Sequence, residues 1–329
     1  MLLDHTAFPG IIDRILFHST PSTVLAFSNT CRLYRRRLVS QLRHVSVDTD
    51  ADTGRPCLLP VGTRHLVPRA LPFVPIYVRI LDVEQRVLES PTMRTVLSRA
   101  SAHEDFDLEM LRRIGTPTPA AVNIGLSGDA DTAVHFINLD EWNFPVHERL
   151  RDAVIHVGQS LKRQVLHLRW CDDYPLALGD PRALSFTTFI YGFQTRKYEY
   201  VFVLQPWTTA GKPSPISAFE LLLNVLWEAI HRLCPYTTLT VVGLEATDLE
   251  GLKVKKGGVG EVNERVPAQF RKFATFLEDY IIEEDPSGLR VKALRRSARY
   301  LTVEDWRAEL PAQDVGLIGE WVEPVQQGR

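Results

Sequence analysis

The chain has 329 residues, of which 45% are hydrophobic and 24% charged, with a formal net charge of −2. This near-average composition excludes collagen-like, coiled-coil and wholly disordered classes, and the length is typical of about two domains. The small net charge gives no global attraction to phosphate and does not favour binding to nucleic acid. The four cysteines form no Cys-x-x-Cys pair, which argues against a zinc site or a disulfide framework.

The first 47 residues are basic and carry the pattern of three short helices. Six arginines against two aspartates give this segment four excess positive charges. The apolar stripe of the first helix consists of Phe8, Ile11, Ile12, Ile15 and Leu16. Thr20 as N-cap and Pro21 in the first turn predict a second helix. The third predicted helix has one apolar face made of Cys31, Tyr34, Leu38 and Leu42.

This arrangement resembles an F-box. Phe8-Pro9, an amphipathic helix, Val24-Leu25 and Cys31-Arg32-x-Tyr34 follow one another as in the family pattern of Leu-Pro, short helix, Leu-rich turn and Cys-Arg-x-Trp. The likeness is closer to fungal F-box-like proteins, in which Phe-Pro opens the motif and an Arg-rich third helix leads to a strand such as His44–Val47. The resemblance covers residues 6–47 and continues only weakly through residues 80–83 and 300–302.

The resemblance implies a docking surface for the Skp-type adaptor of cullin-RING ubiquitin ligases. The residues that it assigns to adaptor binding are Phe8, Pro9, Ile11, Ile12, Ile15, Leu16, Leu25, Cys31 and Tyr34. The chain departs from the family pattern where Phe8 replaces Leu, where Ile11 stands at a commonly acidic position, and where Tyr34 replaces Trp. The alternative interpretation of residues 1–47 is a three-helix cap on the following domain.

Residues 48–75 are rich in Asp, Gly and Pro and predict a linker. The β-rich runs that follow are 77–83, 121–126, 134–139, 154–157, 165–168, 186–191, 200–204 and 239–242. Most of these runs are continuously apolar, which suits strands covered on both faces. Their alternation with helical patterns indicates an α/β domain with a parallel sheet over residues 76–310. We expect an irregular leucine-rich-repeat-like sheet that grades into a Rossmann-like end after residue 185.

Helical spacing predicts the elements between these strands. One helix is expected around Leu108, Leu111 and Arg112, a second over residues 218–233 and a third over residues 270–281. Thr302, followed by an acidic third residue, predicts the start of a last short helix. The Gly, Gln and Pro residues of segment 311–329 predict a partly disordered tail.

Four patterns could carry chemistry or recognition, and each has a simpler structural interpretation. The glycine-rich loop 257–260 lacks the Lys-Ser/Thr of a P-loop, and the turn 125–129 lacks the last glycine of a nucleophile elbow. His156 and His167, with Cys171 and the two following aspartates, could form a metal or hydrolytic cluster, although core histidines fit better. A basic helix face for phosphate or an acidic partner could be formed by Lys292, Arg295, Arg296 and Arg299. An aromatic recognition surface could be formed by Trp142, Trp170 and Trp207. A solvated helix face and packing under loops are their simpler interpretations.

We therefore expect a non-enzymatic substrate-recognition adaptor that binds the Skp-type adaptor and the cullin ligase core at one end and a protein target at the other. No cofactor, metal, nucleic acid or membrane partner is expected, and the expected location is cytoplasmic or nuclear. The alternative is an α/β enzyme or nucleotide-binding domain with a helical cap. A concave site with convergent polar groups would distinguish that alternative.

Overall fold

A computed structural model describes the ten segments that carry the sheet and the C-terminal helices, together with Arg14. These segments are residues 43–49, 56–60, 78–84, 108–114, 130–138, 162–171, 198–207, 237–246, 266–284 and 287–322. All nine adaptor-binding residues assigned by the F-box resemblance lie outside them. So do the predicted strands 121–126, 154–157 and 186–191, the predicted helix 218–233 and the glycine-rich loop 257–260.

The described residues form a single sheet of nine strands. The strands are β1 (His44–Thr49), β2 (Pro56–Pro60), β3 (Ile80–Glu84), β4 (Leu108–Ile114), β5 (Ala130–Asn138), β6 (Arg163–Cys171), β7 (Tyr198–Trp207), β8 (Thr237–Val242) and β9 (Ala298–Leu301). Their spatial order is β2-β1-β3-β4-β5-β6-β7-β8-β9. Strand β2 pairs antiparallel with β1, whereas the other eight strands are parallel and follow chain order. The predicted α/β class with a parallel sheet is confirmed.

The central strands are buried on both faces. In β7, the consecutive residues Val201, Phe202, Val203 and Leu204 are each at most 2% exposed. Successive side chains of a strand point to opposite faces, so both faces of this part of the sheet must be covered. The continuously apolar runs of the sequence predicted this arrangement.

We call the two sides of the sheet the front face and the back face. The front face carries Phe136 and His167, which are paired in register on β5 and β6, and the back face carries Leu166 and Phe202. The front-face core contains Met110, Ile114, Val134, Phe136, Val165, Val201, Val203 and Val242 from the strands, with Trp306 and Ile318 from the C-terminal segment. The C-terminal segment therefore covers the front face.

Four described helices follow β8. They are α1 (Arg271–Glu284), α2 (Leu289–Ser297), α3 (Val303–Glu309) and α4 (Ala312–Ile318). Helix α1 confirms the helix predicted over residues 270–281, and its Phe273 ring meets the back-face ring of Tyr300 edge-on at 5.9 Å. Helix α3 begins at the predicted cap, where the Thr302 hydroxyl accepts a hydrogen bond from the Asp305 backbone N–H at 3.0 Å.

The helix predicted around Leu108, Leu111 and Arg112 is wrong, because Leu108–Ile114 forms strand β4. Alternate residues of β4 point to the front face, and both Arg112 there and Leu111 on the back face are buried. The buried arginine obscured the strand in the sequence, since a charged side chain occupies a position where an apolar one is expected. Its burial depends on Asp82 of the neighbouring strand.

Two predicted boundaries also change. The predicted linker 48–75 contains β2, an edge strand with proline at each end, which is where a sheet tolerates residues that lack a backbone donor. The predicted helical domain 1–47 includes β1, which pairs with β3 and belongs to the sheet, so the sheet begins at His44.

The C-terminal part differs from the prediction in topology and order. A Rossmann-like end requires a reversal of strand order, whereas β7, β8 and β9 continue in chain order within the described sheet. The predicted tail is folded through residue 322, because α4 packs Ile318 into the front-face core. Gly316 and Gly319 suggested disorder, but the buried apolar contacts outweigh their low helix propensity.

The position of β1 predicts a sharp difference between two N-terminal deletions. Deleting residues 1–42 leaves β1 intact, so we expect a soluble protein with cooperative urea unfolding. Deleting residues 1–49 removes the strand between β2 and β3 and leaves an open sheet edge, so we expect aggregation. Circular dichroism and light scattering would measure both outcomes. Equal aggregation of the two proteins would show that residues 1–42 complete the core of the sheet.

Candidate functional site

Three strands contribute a buried polar network to the front face. The Arg112 guanidinium donates two hydrogen bonds to the Asp82 carboxylate, at 2.7 Å from Nε and 2.6 Å from Nη2. His44 Nε2 lies 3.0 Å from the same carboxylate. Asp82 and Arg112 are each 4% exposed, so a fork-like arginine–carboxylate pair is enclosed by the protein.

The network keeps Asp82 ionised in spite of its burial. Burial by itself would raise the pKa of Asp82, but the nearby His44 imidazole, the hydrogen bonds from Arg112 and the positive charge of Arg112 outweigh it and lower the pKa below its ordinary value. Removal of one partner would leave an uncompensated charge in the core, a change that typically costs about 3–5 kcal/mol. The pair therefore stabilises the side-by-side arrangement of β3 and β4 on the front face.

His167 is the second buried polar group of the front face. Its ring stacks on Phe136 with centroids 4.7 Å apart, and its Nε2 lies 2.6 Å from the carbonyl oxygen of Ile318. A carbonyl can only accept a hydrogen bond, so Nε2 carries the proton and donates. Burial lowers the pKa of His167 to about 3, with Arg307 and Arg112 adding to the effect. The imidazole is therefore neutral, and the prediction of a core histidine is confirmed.

These two polar groups hold the C-terminal segment against the sheet. Arg112 Nη1 donates to the carbonyl oxygen of Leu317 at 3.0 Å, and His167 Nε2 donates to that of Ile318. Both acceptors lie in the last turn of α4, where helix carbonyls lack partners within the helix. Side chains from β4 and β6 thus cap the carboxyl end of α4 and position it over the front face.

Polar residue types occupy one register row at the carboxyl ends of the central strands. Asn138, Arg169 and Gln205 are aligned in register on β5, β6 and β7, two residues past the row of Phe136 and His167. The half-buried Arg169 places its guanidinium 5.3 Å from the ring centroid of Trp321. We call Arg169, Gln205 and Trp321 the carboxyl-end rim. This cation–π contact fixes the Arg169 and Trp321 side chains at the outer edge of the front-face core.

The basic face predicted from Lys292, Arg295, Arg296 and Arg299 is not one helical face. Arg299 lies on β9 and forms an ion pair with Glu309, while Arg295 on α2 forms a two-pronged ion pair with Glu278 of α1. These carboxylates offset two of the four charges. The prediction of a single basic helix face is wrong because helix α2 ends at Ser297 and strand β9 begins at the next residue.

The other predicted site residues are distributed over different parts of the chain. Cys171, Trp170 and Trp207 occupy the carboxyl ends of β6 and β7, as their place in the sequence suggested. His156 and Trp142 lie outside the described residues.

Within the part of the chain that the structure describes, no group of three or more His, Cys, Asp or Glu side chains could hold a metal ion. No helix of those same segments is long and apolar enough to cross a bilayer.

Sequence reasoning missed the residues that organise the front face. Asp82 interrupts the apolar run of β3, and Arg112 does the same in β4 thirty residues later. Opposite charges inside two apolar runs are a signal for a buried pair, since an unpaired charge is rarely enclosed. Trp321 gave no such signal, because its segment carries the glycines typical of a loose tail.

Comparisons with protein-family models, with curated protein sequences and with solved structures give no significant match. The functional assignment therefore depends on the residues of this chain alone.

The neutral, buried state of His167 predicts an acid-sensitive stability. Unfolded histidine titrates near pH 6.5, whereas the pKa of folded His167 is about 3. Below pH 6.5 the unfolded state binds a proton that the folded state excludes, so stability falls by up to ~1.4 kcal/mol per pH unit. His167→Gln keeps an amide donor for Ile318 but does not titrate. We expect its free energy of unfolding in urea to fall less steeply between pH 6.5 and about pH 4. Parallel curves for the two proteins would contradict the assignment.

Proposed function

We propose that the protein is a substrate-recognition adaptor of a cullin-RING ubiquitin ligase, with its N-terminal helices docking the Skp-type adaptor. The observation that supports this proposal most is the position of β1. The strand begins at His44, directly after the predicted third helix with its last apolar residue Leu42, and it lies inside the parallel sheet. The strand that the F-box-like resemblance expects after its Arg-rich helix is therefore present. A docking module joined to the sheet without a spacer would hold a target in a fixed orientation.

The sheet would serve as the target-binding platform. Its parallel strands follow chain order, which is the order found in solenoids whose units each contact their neighbours, and we propose that it is leucine-rich-repeat-like. The carboxyl-end rim of Arg169, Gln205 and Trp321 is the surface that we assign to the target. Such an adaptor acts by raising the effective concentration of its target at the ligase and needs no catalytic residue of its own.

The docking assignment is tested by charge substitutions in the first predicted helix. Ile15→Asp with Leu16→Asp places two carboxylates on the apolar stripe, where desolvation would oppose adaptor binding. We expect the purified full chain to bind a purified Skp-type adaptor in isothermal titration calorimetry, and this double variant to show no binding.

Leu289→Asp is the matched control for that experiment. Leu289 is an apolar residue of α2 that is 68% exposed, so its substitution adds a charge without disturbing the core. We expect this control to bind as the unsubstituted protein does. Circular dichroism must show that both variants are folded. Unchanged adaptor binding by a folded Ile15→Asp, Leu16→Asp protein would refute the docking surface.

The target-binding rim is tested by two charge reversals on one strand. Arg169→Glu changes the rim at the carboxyl end of β6, and Lys162→Glu changes an exposed residue just before its amino end. Proteins captured from native lysate would be quantified by mass spectrometry for each variant. We expect Arg169→Glu to lose a set of proteins that Lys162→Glu and the unsubstituted chain both retain. Identical sets for the three proteins would exclude this rim as the recognition surface.

A further inference from the structure

A continuous chain of polar contacts connects the start of the sheet to its C-terminal helix. His44 is the first residue of β1, and its Nε2 lies 3.0 Å from Asp82 Oδ2 on β3. Asp82 accepts two hydrogen bonds from Arg112 on β4, and Arg112 Nη1 donates to the Leu317 carbonyl at 3.0 Å. Residues 273 positions apart in the sequence are thus joined through three side chains.

The same C-terminal segment has a second attachment to the sheet. His167 Nε2 donates to the Ile318 carbonyl at 2.6 Å, next to the Arg112 contact, and the Ile318 side chain is 1% exposed. Trp306 of α3 joins the front-face core, and Arg307 Nε donates to the Gly319 carbonyl at 3.1 Å. Three consecutive carbonyls at the end of α4, from Leu317 to Gly319, therefore each accept a side-chain donor.

We propose that residues 303–322 form a C-terminal clasp that controls the local stability of β1 and β3. The clasp covers the front face beside Arg112 and keeps water from the buried ion pair. When α4 detaches, water reaches Arg112 and Asp82, and their attraction weakens as the local dielectric constant rises. His44 then loses its fixed partner, and β1 is held to β3 by backbone pairing and by the back-face packing of Val45 and Val47.

The clasp has a consequence for the N-terminal segment, because β1 directly follows it. A change in residues 303–322, through cleavage or a bound partner, would loosen the strand that directly follows the N-terminal segment. This link depends only on contacts of the described fold and holds whether or not the N-terminal segment binds an adaptor.

Hydrogen exchange on the full chain tests the clasp. Ile318→Ala removes buried methyl groups from α4, and Leu166→Ala does the same on the back face of β6, the strand to which α4 is anchored. Both residues are at most 2% exposed, so the two substitutions create comparable cavities. We expect amides of β1 and β3 to exchange about tenfold faster in Ile318→Ala than in Leu166→Ala.

Equal exchange of β1 and β3 in the two variants would overturn the proposal. Faster exchange confined to residues 303–322 in Ile318→Ala would also overturn it, because the clasp would then open without affecting β1. If Ile318→Ala is unfolded, the milder Ile318→Val gives the same comparison with a smaller expected increase. Adaptor binding is not used as the readout, so failure of the clasp and failure of the docking proposal remain distinguishable.

Discussion

The ion pair between Asp82 and Arg112 is the constraint on which the front face depends. A carboxylate and a guanidinium, each 4% exposed, are enclosed in a largely apolar core. Enclosure of either charge alone would be strongly unfavourable, so each group requires the other. The pair fixes the register of β3 and β4, engages His44 at the start of β1, and leaves one guanidinium nitrogen to hold α4. One buried interaction thereby connects both ends of the described fold.

The fold and the proposed function are related through the sheet. Parallel strands in chain order place their carboxyl ends along one edge, where Arg169 and Gln205 extend beyond the apolar core. The amino end of β1 is the point at which the docking helices would join. A sheet between the proposed docking module and the proposed recognition rim would suit an adaptor, whose task is to hold a target in one place.

The sequence predicted most of the sheet because its strands are buried on both faces. Runs such as residues 200–204 are continuously apolar, and β7 is centred on that run. Helix α1 and the cap at Thr302 were predicted correctly, because apolar spacing and capping chemistry are local properties. The buried polar network, by contrast, depends on residues that are far apart in the sequence. Asp82 and Arg112 meet only when β3 and β4 pair, and their charges disguised the second strand as a helix.

The prediction of a partly disordered C-terminal tail was wrong for a related reason. Gly316 and Gly319 lower the intrinsic helix propensity of the segment, whereas the capping of α4 by Arg112 and His167 comes from strands far away in the sequence. Local composition therefore indicated disorder where tertiary contacts impose order. The same contacts explain why the carboxyl-end rim was not predicted, since Trp321 reaches Arg169 only when α4 is in place.

A double-mutant cycle on the buried pair, measured by urea unfolding, tests the central role of Arg112 most directly. Arg112→Met alone leaves the buried Asp82 charge without its partner. It should lower the free energy of unfolding by about 3–5 kcal/mol. Adding Asp82→Leu removes that charge and should recover most of the lost stability. The free energy of unfolding of the double variant should remain about 1–3 kcal/mol below that of the unsubstituted chain, because the Leu317 carbonyl has lost its buried donor. Full recovery in the double variant would contradict the account, since Arg112 would then stabilise Asp82 without holding the C-terminal segment.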